Sequence, residues 1–278
     1  MQGPRSISRD PALAREGGRA YTEAEVNALT QVITRPDEPN KDHSLLKLVA
    51  VLTMMVDHAG VVFFPGVLWL RVIGRIAFPL FAWGIAVGAQ KTRDWRLYAL
   101  RLLLIGIVSQ PFYMLALTHS WAELNIFATL LLGLLAVVGV QKRWAFSHIW
   151  APALCLLLSA AIRMDYGWRG VLLIILMYLV RDTRAGLAAL MVAFCLYWGG
   201  GGSVLPREWT TALTSTPWVP LNRALGEFFS LFRLQSLAIL ALPFMMARTH
   251  STMKIPKWLG YAAYPGHLAL YWLIDRFL

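Results

Sequence analysis

Asp57 and His58, Arg71 and Arg75, and His267 are ionisable residues that sit inside long apolar runs of the chain. A charge within hydrocarbon costs about 2.5 to 3.5 kcal/mol on insertion scales, so each such residue needs a partner, a water-filled cavity or a function. Counted at helical rise from the expected outer ends of their segments, Asp57 and His58 lie about 10 Å deep, Arg75 about 12 Å and His267 about 15 Å. Three helices therefore contribute to one polar layer. Arg71 and Arg75 share a helix face at i, i+4 and repel each other unless an anion compensates. Asp57 supplies one such charge, and a carboxylate, a phosphate or a thioester-bearing ligand supplies another. A lone Asp paired with an Arg reads as a core ion pair; two imidazoles and two guanidinium groups in one layer read as a polar functional cavity. Asn125, Asp165 and Tyr166 fall near the outer ends of neighbouring helices and are further candidates for its rim. Metal is not expected, because no H-E-x-x-H helix or comparable cluster occurs. A G-x-S-x-G elbow and a paired-carboxylate hydrolase site are likewise missing from the pattern.

The elements that must position these residues are transmembrane helices. Hydrophobic residues make up 58% of the 278-residue chain and charged residues only 15%, too little charge to cover a soluble surface of this size. Runs of about 17 to 25 apolar residues cross a bilayer as helices, which satisfy their own backbone groups where water is absent. The sequence predicts an all-α bundle of about nine such helices: 45–64, 67–90, 97–118, 124–140, 145–162, 168–180, 185–198, 221–247 and 258–277. The first is expected to serve as its own insertion signal. Lys and Arg concentrate in the tail before Leu45 and in the second, fourth, sixth and eighth connections, which places these in the cytoplasm and the C-terminus outside. The net charge of +11 is thus a matter of topology, not of nucleic-acid binding. Cys155 and Cys195 lie in apolar runs and read as small buried hydrophobes. Residues 1–44 form a cytoplasmic tail in which Thr22 and Glu25 give a capping box, followed by Val26, Leu29, Val32 and Ile33 at helical spacing. A short amphipathic helix near 22–35 is expected there, and residues 45–278 form the membrane domain.

Five segments in order, Val56-Asp57-His58, Gly74-Arg75-Ile76-Ala77-Phe78-Pro79-Leu80-Phe81, Asn125-Ile126-Phe127, Tyr166-Gly167 and Tyr264-Pro265-Gly266-His267-Leu268, resemble the TraX family, from about Leu45 to the C-terminus. That family includes the enzyme that acetylates the N-terminus of F-type conjugative pilin. The resemblance implies an acyltransferase of the bacterial inner membrane, with acetyl-CoA as donor and the amine of a mature pilin as acceptor. Under it, His58 is the general base or a nucleophile that carries the acetyl group, with Asp57 orienting its ring and His267 as second acid or base. Arg75 and Arg71 then hold a carboxylate, CoA phosphates or the oxyanion, with Asn125, Asp165 and Tyr166 as further binding residues. The rival reading is a transporter or flippase, in which intramembrane charges mark a substrate path; matched broken helices or inverted repeats would favour it, and the sequence displays neither.

Overall fold

A computed structural model of the chain describes residues 39–40, 42–198, 221, 225, 233–247, 249 and 257–277. The expected amphipathic helix of the tail and the loop 199–220 lie outside the described residues. Helices make up the fold: α1 (His43–Val62), α2 (Leu68–Gly74), α3 (Ala77–Lys91), α4 (Trp95–Leu117), α5 (Ile126–Lys142), α6 (Ser147–Ala161), α7 (Gly167–Leu179), α8 (Arg184–Trp198), a 3-10 helix Leu234–Ala241, α9 (Leu242–Met246) and α10 (Lys257–Phe277). Local chemistry sets several starts. Asp42 accepts from the Ser44 and Leu45 amides at 3.2 Å each, Asp94 caps α4 through the Arg96 and Leu97 amides, and Asn125 caps α5 through Phe127 at 3.0 Å. Each carboxylate or amide oxygen satisfies amides that have no partner within their own helix.

Four helical segments are long and apolar enough to cross a bilayer: Ser44–Val62, Leu68–Lys91, Trp95–Leu117 and Trp144–Ala161. Their surfaces explain why water is the wrong solvent. Along α4, Leu97, Leu100, Leu103, Leu104, Ile107 and Val108 are all exposed, a continuous apolar face that a soluble protein does not carry. Trp69 and Trp121 project near one end of the bundle and Trp144 and Phe146 near the other, as in the aromatic belts at membrane interfaces. The chain is a polytopic membrane protein.

The expected span 67–90 is present as the helical segment Leu68–Lys91, with a local irregularity inside it. The irregularity falls at Arg75 and Ile76, between α2 and α3. Pro79 is the cause: it has no amide to give the Arg75 carbonyl, and the turn tightens so that the Ile76 amide bonds to Ile73 at 3.2 Å. Of segment 221–247, expected as one span, residues 222–224 and 226–232 lie outside the described residues; its later part holds a 3-10 helix followed by the five-residue α9, with Pro243 at the start of the latter. The described α7 has 13 residues, about 20 Å of helix, less than the hydrocarbon thickness. It needs no lipid contact along its length, because Val171, Leu173, Ile174 and Met177 are buried among other helices.

The core centres on α3, which buries ten of its residues, Phe78 and Trp83 among them. Asn40 ties the start of the membrane unit to α9. Its amide bonds to the Met245 carbonyl, its side chain to the Phe244 carbonyl and the Thr249 hydroxyl, and its own carbonyl receives the Trp83 indole N–H at 2.7 Å. Helices approach closely where side chains are absent. A Cβ at Gly74 would overlap the Asp57 carboxylate, so glycine there lets α1 lie against α2.

Candidate functional site

The polar layer counted from sequence assembles in the structure. α1 presents Asp57 and His58, the α2–α3 break presents Arg75 with Arg71 one turn earlier, and α10 presents His267. Asp57 is buried between the two arginines. Its carboxylate oxygens both accept from Arg75 Nη2 at 2.8 Å, and Arg71 Nη1 lies 3.0 Å from Oδ2. Arg75 is held from two further directions, its Nε donating to the Arg71 carbonyl at 3.3 Å and its Nη1 to Gln235 Oε1 at 3.1 Å. Arg75 is thus anchored by side chains from α1 and the 3-10 helix as well as by its own helix, where its amide still bonds to the Arg71 carbonyl at 3.2 Å. One carboxylate faces two guanidinium groups, which leaves a cationic excess within the triad.

The two imidazoles form a separate pair. His58 Nδ1 lies 2.7 Å from His267 Nε2, with the rings nearly parallel and their centroids 4.9 Å apart. His267 Nδ1 lies 2.6 Å from the Ala263 carbonyl oxygen. A carbonyl oxygen accepts only, so His267 Nδ1 carries the hydrogen and its Nε2 keeps the lone pair. The short contact to His58 then needs a donor, which is His58 Nδ1–H. His58 Nε2 is left with its lone pair. This relay of carbonyl, His267 and His58 fixes tautomer and ring orientation, which is the task a second partner performs for reactive histidines. The ring of His58 is thus oriented by His267, not by Asp57 as the sequence reading expected; the carboxylate is engaged by Arg71 and Arg75 instead.

Asn125 is buried and fully used in structure: besides capping α5, its Nδ2 donates to the Gly106 carbonyl at 2.8 Å and to Gln110 Oε1 at 2.9 Å. It pins the start of α5 to α4. Asp165 and Tyr166 lie in the connection before α7, which runs beside residue 124 through paired amides, Leu124 to the Arg163 carbonyl at 3.0 Å and Asp165 to the Leu124 carbonyl at 2.9 Å. Thr129 Oγ1 also donates to the Asp165 carbonyl. Tyr166 has φ +64° and Gly167 φ +50°, two consecutive left-handed residues that turn the chain into α7. Tyr166 stacks on Phe78 at 3.7 Å between centroids, three residues from Arg75. On the neighbouring connection His119 Nδ1 lies 2.6 Å from Glu123 and the His119 ring stacks on Tyr113.

Burial pushes the Asp165 carboxyl up to about 6, against the opposing pull of Arg75. Its folded value is raised above the unfolded value of about 3.9, so the stability it contributes is complete below that value and is lost as pH rises through about 6. Asp165→Asn is therefore expected to gain on wild type in detergent melting temperature between pH 4.5 and pH 7.5. A difference that stays flat across this interval would show the carboxylate to be well solvated.

Sequence reasoning missed Gln235 and Ser236. Both are buried; among the described residues Gln235 Nε2 and Ser236 Oγ have no hydrogen-bond partner, nor does the Tyr264 hydroxyl. Their signal was visible as two polar residues in the apolar run 221–247, although nothing in its spacing tied them to Arg75. Among the described residues no group of three His, Cys, Asp or Glu is placed to hold a metal ion.

The TraX protein family matches residues 42–275. The chain belongs to the TraX family. Among curated relatives, it is 34% identical over 107 residues to the probable fimbrial assembly protein FimC, serogroup H1, of Dichelobacter nodosus, covering 34% of this chain and 44% of that one. It is 28% identical over 155 residues to protein TraX of Escherichia coli, covering 55% and 61%, and 25% identical over 149 residues to the uncharacterized protein RP591 of Rickettsia prowazekii (strain Madrid E), covering 51% and 57%. The chain spans roughly half the length of these curated relatives. No solved structure matches it. The family match begins at the Asp42 cap of α1 and takes in every polar residue of the layer just described.

Proposed function

We propose that this TraX-family protein transfers an acetyl group from acetyl-CoA to the N-terminal amine of a pilin subunit within the bacterial inner membrane. The observation that carries the proposal is the oriented His58–His267 pair beside a buried Arg71–Asp57–Arg75 triad. The names of two relatives, a fimbrial assembly protein and protein TraX, support a pilus context.

In the reaction the amine nitrogen bonds to the thioester carbonyl carbon, the C–S bond breaks, and the products are an amide and a free thiol. The attacking amine must be neutral; with a pKa of roughly 7.7 to 8.0, part of it already is near pH 7. His58 Nε2 accepts the proton that the amine sheds and returns it to the departing thiolate. His267 supports the imidazolium through the shared hydrogen, and the Ala263 carbonyl in turn steadies His267. The cationic excess of Arg71 and Arg75 favours the negative charge that develops on the carbonyl oxygen, or the phosphates of the donor. Asp165, with Tyr166, lies at the rim where an ammonium would approach. The end of the bundle with Lys47, Lys91 and Arg96 faces the cytoplasm, where the donor is made, and the N-terminus lies on the same side.

Intact-mass analysis of the pilins from cells with and without the gene tests the function. One pilin should lose the mass of a single acetyl group when the gene is removed. Identical masses for every pilin in the two strains would overturn the proposal.

A further inference from the structure

Lys47 and Arg101 are cations that the acyltransferase site does not use, and both meet one tyrosine. The Lys47 ammonium stands 5.2 Å from the centroid of the Tyr261 ring, and Arg101 hydrogen-bonds to the hydroxyl of the same residue. Lys47 follows the first residue of α1 by four, Arg101 that of α4 by six and Tyr261 that of α10 by four. At helical rise this is about 6 to 9 Å from the helix ends, the level where headgroups give way to hydrocarbon. Trp95 at the start of α4 suits the same interface. Lys47 is fitted into place, because a Cβ at Gly260 would overlap its side chain. Arg101 is exposed, between Leu100, Leu103 and Leu104 on the apolar face of α4. None of the ion pairs among the described residues includes it. A guanidinium at that depth needs an anion, and the membrane's own phosphates lie within its reach. Beneath these cations, between α1, α3, α4, α5 and α10, lies a cavity of about 230 Å³. It is lined near them by Lys47, Tyr98 and Tyr261 and farther in by Met54, Gly84 and Leu130, and its walls are mostly aliphatic and aromatic. Apolar cavities of about 150 Å³ stay free of water and take up benzene, so this one has room for several methylenes.

We infer that this site holds an anionic phospholipid of the surrounding membrane, its phosphate beside Lys47 and Arg101 and the first part of one acyl chain in the cavity. Charge selects the headgroup. Two cations on one tyrosine suit a phosphodiester and repel a quaternary ammonium, as in other basic pockets between transmembrane helices. The cavity selects a lipid over a free phosphate, because only a lipid carries a chain to fill it. Each methylene taken into apolar surroundings raises affinity about fourfold. Neither His58 nor His267 lines the cavity, so the lipid is neither donor nor acceptor of an acyl group. It packs against α10 at Tyr261, less than two turns before His267, and the assignment is independent of the acyltransferase reading.

Native mass spectrometry of the purified full-length chain, titrated in detergent with phosphatidylglycerol or with phosphatidylcholine of the same chains, reads the site. No transfer step enters, so either result leaves the acyltransferase reading unaffected. Wild type is expected to bind phosphatidylglycerol about tenfold or more above phosphatidylcholine. Arg101→Gln should weaken phosphatidylglycerol about fivefold and leave phosphatidylcholine unchanged, with Arg101→Lys close to wild type because the charge is kept. Gly84 tests the cavity, since a Cβ built there meets nothing within 4 Å. Gly84→Leu should fill the space and weaken both lipids about tenfold or more without altering their ratio. Gly84→Ala, the milder change, should fall between and carries the test where leucine lowers the melting temperature. Equal affinity of wild type for the two lipids, or undiminished phosphatidylglycerol binding by Arg101→Gln, overturns the inference. Wild-type affinity for both lipids in the Gly84 variants overturns it as well, by leaving the chain outside the cavity. So does displacement of the bound lipid by an equimolar amount of glycerol 3-phosphate, which would make this a site for free anions.

Discussion

His58→Ala is expected to insert, purify and melt much like wild type while transferring no measurable acetyl group. The expectation separates two roles that a buried polar residue can play. His58 is only partly buried, and among the described residues its hydrogen bond is the one to His267. Losing one such bond costs about 0.5 to 1.5 kcal/mol, a small fraction of a membrane bundle's stability. Losing a positioned base costs about 10² to 10⁴ in rate, and more if the imidazole carries the acetyl group covalently. His267→Ala should be less severe. It leaves His58 in place but removes the acceptor that holds hydrogen on Nδ1, so the reactive Nε2 tautomer is no longer enforced and the ring is free to turn. The order His58→Ala below His267→Ala below wild type, read as transfer of labelled acetyl from acetyl-CoA, tests the relay directly. Substantial turnover by a well-folded His58→Ala protein would remove this residue from the mechanism.

The features legible in sequence were those that the membrane makes expensive. Asp57, Arg71, Arg75 and His267 stood out because hydrocarbon penalises them, and helical rise placed them at matching depth. The structure brings these four and His58 together. Which group would contact which was less legible. Depth alone does not distinguish Asp57 orienting His58 from Asp57 neutralising two guanidinium groups, since both partners lie within one turn. Rotation about the helix axis decides it, and adjacent residues 57 and 58 point in directions about 100° apart. Gln235 escaped because its segment is a 3-10 helix rather than the expected regular span, and a three-residue period presents a different face from an α-helical one. Asn125 was visible as a polar residue at a span end. Its geometry is that of an N-cap, and a polar residue followed by the apolar run Ile126 to Val140 carries that signal too. The break at Arg75 was written in Pro79, four residues on, where the missing amide acts.

The largest stability effects should come from the Asp57–Arg75 pair, and the geometry ranks them. Removing one partner of a buried ion pair costs about 3 to 5 kcal/mol, because the other charge is stranded. Asp57→Asn strands two guanidinium groups at once, since Arg71 and Arg75 both rely on the carboxylate. Arg75→Gln leaves Asp57 still paired with Arg71 and should be the milder change. The double variant Asp57→Asn, Arg75→Gln keeps only Arg71 from the triad, and that side chain is 28% exposed, enough for its charge to reach water or the interface. Its loss should therefore be smaller than that of Asp57→Asn alone, although two residues have been changed. Gly74 adds a steric check on the same pair, because its missing Cβ makes room for the carboxylate that the asparagine would still occupy. Thermal unfolding of the four proteins in one detergent gives the coupling free energy as the departure from additivity. Strictly additive losses would mean that the 2.8 Å contacts between Asp57 and Arg75 contribute nothing to folding, and the cationic excess beside His58 would then have to be held in place by Gln235 and the Arg71 carbonyl alone.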